Sequence, residues 1–147
     1  MNLELTQKQY ETLLKLAYLG DYMINGIRTE EDRVPEYADL MQKLYLCAEE
    51  ANCGALVERD KKMGRFFPAG ELEEDRDVKQ YREEYDNEIF WEELIDKLSL
   101  RDFMALQGSD TLNGALAKDI TQAKSGIIKK YIEEFEKNGV ENLKIVG

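Results

Sequence analysis

Residues 83–98, EEYDNEIFWEELIDKL, set seven carboxylates among Tyr85, Phe90 and Trp91. The stretch is either a site or the wet side of a helix, and the fold follows from which of the two it is. With Phe90 as origin and about 100° per residue, Leu94, Leu98, Trp91 and Ile95 fall between about 40° and 140°, whereas Glu92 and Asp96 fall at about 200° and 240°. The apolar side chains share one face and these acids oppose it. The pattern predicts an amphipathic helix packed on a core, opened by Asp86 as cap with Tyr85 and Phe90 as staple.

The same rhythm extends outward. Toward the N-terminus, Thr6 and Gln9 form a capping box and Leu5 and Tyr10 a staple. Leu13, Leu14, Ala17, Tyr18 and Ile24 follow at helical spacing, while Leu16, Leu19 and Met23 widen the apolar surface beyond one stripe. Gly26 and the polar run 29–33 interrupt this helix, and Pro35 suits the first turn of the next. In that second helix, over residues 35–53, Tyr37, Leu40, Leu44, Ala48 and Ala51 make the expected inner face, with Met41, Tyr45 and Cys47 beside it. Residues 54–70 are the least periodic: Leu56-Val57 suits a helix end or a short strand, and MGRFFP at 63–68 reads as a bulky loop.

A short helix is expected over 75–85, and beyond residue 98 another, opened by Ser99 and Asp102 with Leu98 and Phe103 as staple. Leu116, Ile120, Ala123, Ile127, Tyr131 and Phe135 then keep helical spacing across 111–138 until Asn138-Gly139 supplies a stop. The tail 140–146 has strand character and needs a partner near 55–67 or on another subunit. The expected fold is all-α: one acidic domain over residues 1–147, with about five or six helices and a short strand-like C-terminal segment.

Twenty Lys and Arg against 31 Asp and Glu give a net charge of −11, and histidine is absent. Such a field repels nucleic acid and anionic membranes, which need clustered cations. Neither a basic leader with an apolar run nor a long apolar window is present, so neither a membrane anchor nor export is expected, and the cytoplasm follows by elimination. On one helix Cys47 and Cys53 would stand about 9 Å apart in rise, too far for a bridge, and reduced thiols are expected.

Chemistry has few candidates. The absence of histidine removes the ordinary Ser-His and Cys-His nucleophiles, no glycine-rich loop precedes a Lys-Ser or Lys-Thr pair, and the calcium-loop pattern at 75–86 fails where Gln80 replaces the turn glycine. Glu92 and Asp96, four apart, could share a divalent ion. Glu71 with Glu74, and Glu93 with Asp96, form two i,i+3 pairs of oxygen ligands suited to Mg2+. These pairs resemble the acidic pairs on packed helices of the helical nucleotide pyrophosphohydrolases. The resemblance covers residues 71–96, implies an Mg2+-dependent phosphohydrolase acting on a nucleotide or other phosphoanhydride, and brings no group for base or sugar; it assigns no family.

Charge distribution points elsewhere. Residues 71–96 hold twelve acids and three bases, a local balance of −9, which suits steering of a basic partner or simple solubility. Eight tyrosines cannot all be deeply buried without hydroxyl partners. Phe66, Phe67, Tyr81 and Tyr85 are the candidates for an apolar, polar-rimmed contact surface. The leading expectation is a noncatalytic protein-interaction or structural module with no cofactor, whose partner is another protein or a second copy in a homodimer. The phosphohydrolase using Glu71, Glu74, Glu93 and Asp96 with Mg2+ is the alternative.

Overall fold

Thr6 opens the first helix as its sequence dictates. Its hydroxyl accepts from the Gln9 amide at 3.3 Å while the Gln9 side chain accepts from the Thr6 amide at 2.9 Å, so two amides that the helix leaves unpaired are satisfied together. The computed structural model describes residues 3–107 and 124–144 and divides into two compact units, Met1–Glu84 and Tyr85–Gly147. The class is all-α, with four substantial helices and one small sheet among the described residues.

In the first unit, α1 (Gln7–Asn25) packs on α2 (Pro35–Leu46), and a hairpin of β1 (Val57–Asp60) and β2 (Arg65–Pro68) lies against α2, followed by the single turn α3 (Gly70–Glu73) and the first residues of α4 (Arg76–Gln107). The core is the cluster of Tyr10, Leu14, Met41, Tyr45, Ala48, Cys53, Leu72 and Val78. Asp75 caps α4 by accepting from the amides of Asp77 and Val78, and its other oxygen holds Lys15 of α1 at 2.8 Å. Sequence that failed as a calcium loop is thus a helix cap.

Three expectations change. The buried side of α2 is Ala38, Met41, Tyr45 and, just beyond, Ala48, whereas Tyr37 and Leu40 are exposed. Both rows keep helical spacing, so periodicity alone cannot choose between them, and packing of Met41 and Tyr45 against α1 decides. The helix also stops at Leu46; turns carry the chain to Asn52, where the Asn52 amide bonds Glu49 O and the Cys53 amide bonds Ala48 O, a Schellman closure with Asn52 at φ 54°. The segment read as a bulky loop is instead β2, paired antiparallel to β1 with Glu58 opposite Phe67 and Arg59 opposite Phe66. Its turn is set by Asp60, whose carboxylate accepts from the amides of Lys62 and Met63, and by Gly64 at φ 66°.

The second unit contains α4 from Tyr85 onward and α5 (Ser125–Asn138). Three helices were expected over 75–107, and one is found. No glycine or proline falls between residues 76 and 107, so nothing breaks the backbone ladder and the capping patterns at Asp86 and Ser99 lie inside it. The face anticipated around Trp91 is correct: Trp91, Leu94, Ile95 and Leu98 are half-buried, while Glu92, Glu93 and Asp96 are exposed. Trp91 meets Phe135 of α5 at 5.4 Å between ring centres, and Tyr131 meets Phe135 at 5.6 Å. Gly139, at φ 54°, ends α5 with its amide on Phe135 O, as the Asn138-Gly139 stop predicts. Residues 140–144 of the strand-like tail are turn and coil. The expected helical stretch 111–123, the Gly108-Ser109-Asp110 break and residues 145–146 lie outside the described residues. No helix among the described residues is long and apolar enough to cross a membrane.

Candidate functional site

The acids singled out in the sequence do not assemble within either unit into a larger group. Glu71 is exposed on α3, and Glu74, just past it, accepts from Lys79 at 2.7 Å, a bond that holds its carboxyl below the ordinary range. In the second unit Glu93 is bonded to Lys97, one turn along the same helix, and Asp96 accepts from Lys124 at 2.5 Å. The Lys124 side chain is only 8% exposed, so Asp96 neutralises a nearly buried ammonium. Among the described residues no three Cys, Asp or Glu side chains gather to hold a metal ion.

The candidate contact residues separate as well. Tyr81 is exposed and lines a groove with Leu16 and Leu19 of α1, and Tyr85 is exposed on the part of α4 in the second unit. Phe66 and Phe67 stay together, half-buried on β2, in the wall of a cleft of about 360 Å³ enclosed by the end of α1, α2 and the hairpin.

Side-chain bonds to backbone build this cleft. Gln42 of α2 reaches β2 with both ends of its amide, accepting from Phe66 N at 2.8 Å and donating to Phe66 O at 2.7 Å. It occupies the hydrogen-bonding place that another strand would take, and so closes that edge of the hairpin. Asn25, buried at the end of α1, donates to Asp21 at 2.6 Å and accepts from the Val34 amide at 2.9 Å, fixing the turn before α2.

Three arginines, Arg28, Arg33 and Arg65, share the polar lining with three acids, Asp21, Glu30 and Glu73. Arg33 bonds Asp21 at 2.9 Å and lies 3.7 Å from Glu30, while Arg65 bonds Glu30 at 3.0 Å. Arg28 donates to the Ile24 carbonyl at the end of α1, and Tyr22, which lines the cleft, has Arg82 from outside the lining over its ring at 5.3 Å. The Arg33 Nε is buried and has no hydrogen-bond partner. Sequence reading missed these residues because 29–33 carries only turn and linker signals, and Arg65 stands thirty-five positions from its partner Glu30.

The cleft is suited to binding more than to proton transfer. Burial raises the Tyr18 hydroxyl above its ordinary pKa, with the Glu73 charge adding and Arg82 opposing; burial, then Asp21, raises that of Tyr45. Neither phenol is moved toward the ionised form that a base or nucleophile requires. The acids Asp21 and Glu30 are held by arginines. What the arrangement offers is aromatic surface, amide groups, guanidinium donors and the Glu73 carboxylate. The chain matches no protein-family model, no curated protein and no solved structure.

Proposed function

We propose that the chain is a noncatalytic protein-interaction module that receives its partner in the cleft beside β2. The observation that carries the reading is the meeting of aromatic walls, Phe66 and Phe67, with three arginines and three acids in one concave surface of a chain of net charge −11. Aromatic residues and Arg are the types enriched where proteins bind one another, and a cavity of this size admits one or two side chains of a partner rather than a globular face. Among the described residues no grouping of acids favours the phosphohydrolase reading.

The test is direct. Photo-crosslinking from an unnatural aromatic residue at position 67, in the source cell, is expected to yield a discrete adduct that is absent when the same group is placed at exposed Lys62. The purified chain is expected to release neither phosphate nor pyrophosphate from nucleoside triphosphates with Mg2+ at about 5 mM. Turnover abolished by Glu93→Gln, together with no adduct at position 67, would replace the module by the enzyme.

A further inference from the structure

Helix α1 is apolar on two sides. The inner side, where Tyr10, Leu14 and Asn25 are buried, belongs to the first unit's interior. At about 100° per residue, Thr12, Leu13, Leu16, Gly20, Met23 and Ile27 share an arc of about 100° on the other side, Ile27 being carried on in the helical sense by the αR backbone of Gly26. Leu16 is 66% exposed, Met23 57% and Ile27 91%. A surface helix ordinarily puts charge on such a side. Charged residues make up 35% of the chain, yet between residues 13 and 27 only Lys15 and Asp21 are charged, and both lie off this arc in ion pairs with Asp75 and Arg33.

Gly20 stands in the middle of the bare face. A helix interior disfavours glycine relative to alanine, and the fold does not ask for one there. Its φ is not positive, and a Cβ at position 20 would meet no other element within 4 Å. The missing side chain leaves a hole between Leu16, one turn before, and Met23, about one turn after, where another helix can come close.

We propose that this face seats a second copy of the chain, the two α1 helices packing antiparallel about a two-fold axis so that Leu16 of each fills the hole over Gly20 of the other. Two-fold contacts are reciprocal, and a face with knob and hole one turn apart is complementary to itself. In this register Met23 of each copy meets Leu13 of the other. Charge selects the same occupant. A basic partner is drawn to acids, and this face has none; two copies of net charge −11 repel one another, and a face without charge is where they meet at least cost. Taking about 200 Å² for a wholly exposed side chain of this size, the open parts of Leu16, Met23, Ile27 and, across the adjoining groove, Tyr81 amount to roughly 500 Å², most of the roughly 800 Å² that each partner of a standard interface buries. None of these residues lines the cleft, so dimer contact and cleft are separate sites.

Sedimentation equilibrium of the whole chain from about 1 µM to about 1 mM tests the contact. The mass is expected to rise from one chain to two and stop there, and to rise at lower concentration in about 0.5 M NaCl, where repulsion is screened. Gly20→Leu fills the hole and Leu16→Ala removes the knob. Each alone is expected to weaken the dimer at least roughly tenfold, since a two-fold contact counts every change twice; together they exchange knob and hole and restore it. Gly20→Ala is expected to raise the melting temperature of the dilute chain while lowering its association, opposite signs that misfolding does not produce. Leu40→Glu, at an exposed residue of α2, is expected to leave the dimer unchanged. A mass of one chain throughout overturns the proposal, and a photo-crosslinker at position 16 that then joins a different protein in the cell gives the face to that protein. A dimer indifferent to Gly20→Leu and Leu16→Ala places the contact elsewhere, and a double variant no tighter than the single ones overturns the fit of Leu16 to Gly20.

Discussion

Gln42 makes the most exposed wager of the fold, because one side chain supplies both hydrogen bonds to the outer edge of β2. Gln42→Met keeps the volume and removes both bonds, at 2.7 and 2.8 Å, leaving the part-buried amide and carbonyl of Phe66 without partners. At about 0.5–1.5 kcal/mol net for each bond, the expected loss is about 1–3 kcal/mol. Gln42→Glu sharpens the test. As a carboxylate it still accepts from Phe66 N but sets an anionic oxygen against Phe66 O; as a neutral acid it donates there and restores the pair. Part-burial and the O–H bond both favour the neutral form, so the folded pKa lies above the unfolded value of about 4.3. A raised folded pKa means the bond's stability is present below pH of about 4 and is lost as pH rises through the folded value. The assay is native-state amide exchange at Phe66 across pH, with Trp91 fluorescence, which reports the other unit, as internal control. The reasoning fails if Gln42→Met leaves Phe66 protection within about 0.5 kcal/mol of wild type, or if Gln42→Glu is no better protected in acid than near neutrality relative to Gln42→Met.

Asp75 gives an acid-side signature. Burial works against its charge, but Lys15 and the α4 amides outweigh it and hold its carboxyl below the ordinary range, so its contribution is present above pH of about 4 and is lost as pH falls through the folded value. Asp75→Asn, which keeps an acceptor for the cap, is expected to cost about 1 kcal/mol near neutrality and to flatten the acid limb of urea unfolding in the first unit; an unchanged acid limb refutes it. In the second unit Tyr131 donates to Asp102 at 2.5 Å and is the leading cause of that carboxyl's lowered pKa. Tyr131→Phe is expected to raise the Asp102 pKa in a carbon-detected NMR titration, and no rise would show the bond to be absent in solution. Of the two free cysteines, exposed Cys47 is expected to react at once with a disulfide reagent. Cys53, buried and with its thiol pKa raised by that burial, is expected to react only as the first unit opens; equal rates would place Cys53 at the surface.

How much was legible depended on how local each cause is. The Thr6–Gln9 box, the Gly139 stop and the Trp91 face were readable because their partners lie within one or two turns of the same helix. The inner face of α2 was not, since its rival apolar rows differ only in what α1 offers them. The hairpin escaped because RFFP has no alternating pattern, and its edge is completed by Gln42 from twenty-four residues away. The cleft was half legible: Phe66 and Phe67 stood out as bulky residues in a polar stretch, but Arg28, Arg33 and Arg65 acquire meaning only when turn, helix and strand meet.

The stretch at 83–98 shows why reading its acids as a helix face was the sounder physical choice. Glu84, Glu88, Glu92 and Asp96 stand four apart along α4, a row of like charges exposed on one helix. Each adjacent pair is unfavourable by about 0.2–0.5 kcal/mol, so the row costs on the order of 1 kcal/mol. Trp91, Leu94, Ile95 and Leu98 are half-buried on the other side; at about 1.5–3 kcal/mol for a fully buried side chain of this kind, half-burial of the four contributes roughly 3–6 kcal/mol. The apolar face therefore sets the rotation of α4 and the carboxylates take the orientation left to them, where Lys97 and Lys124 offset part of their repulsion. A shared cation would be needed to hold such acids together only if they faced one another across a closed interior. On the outside of a helix, water and salt already screen them.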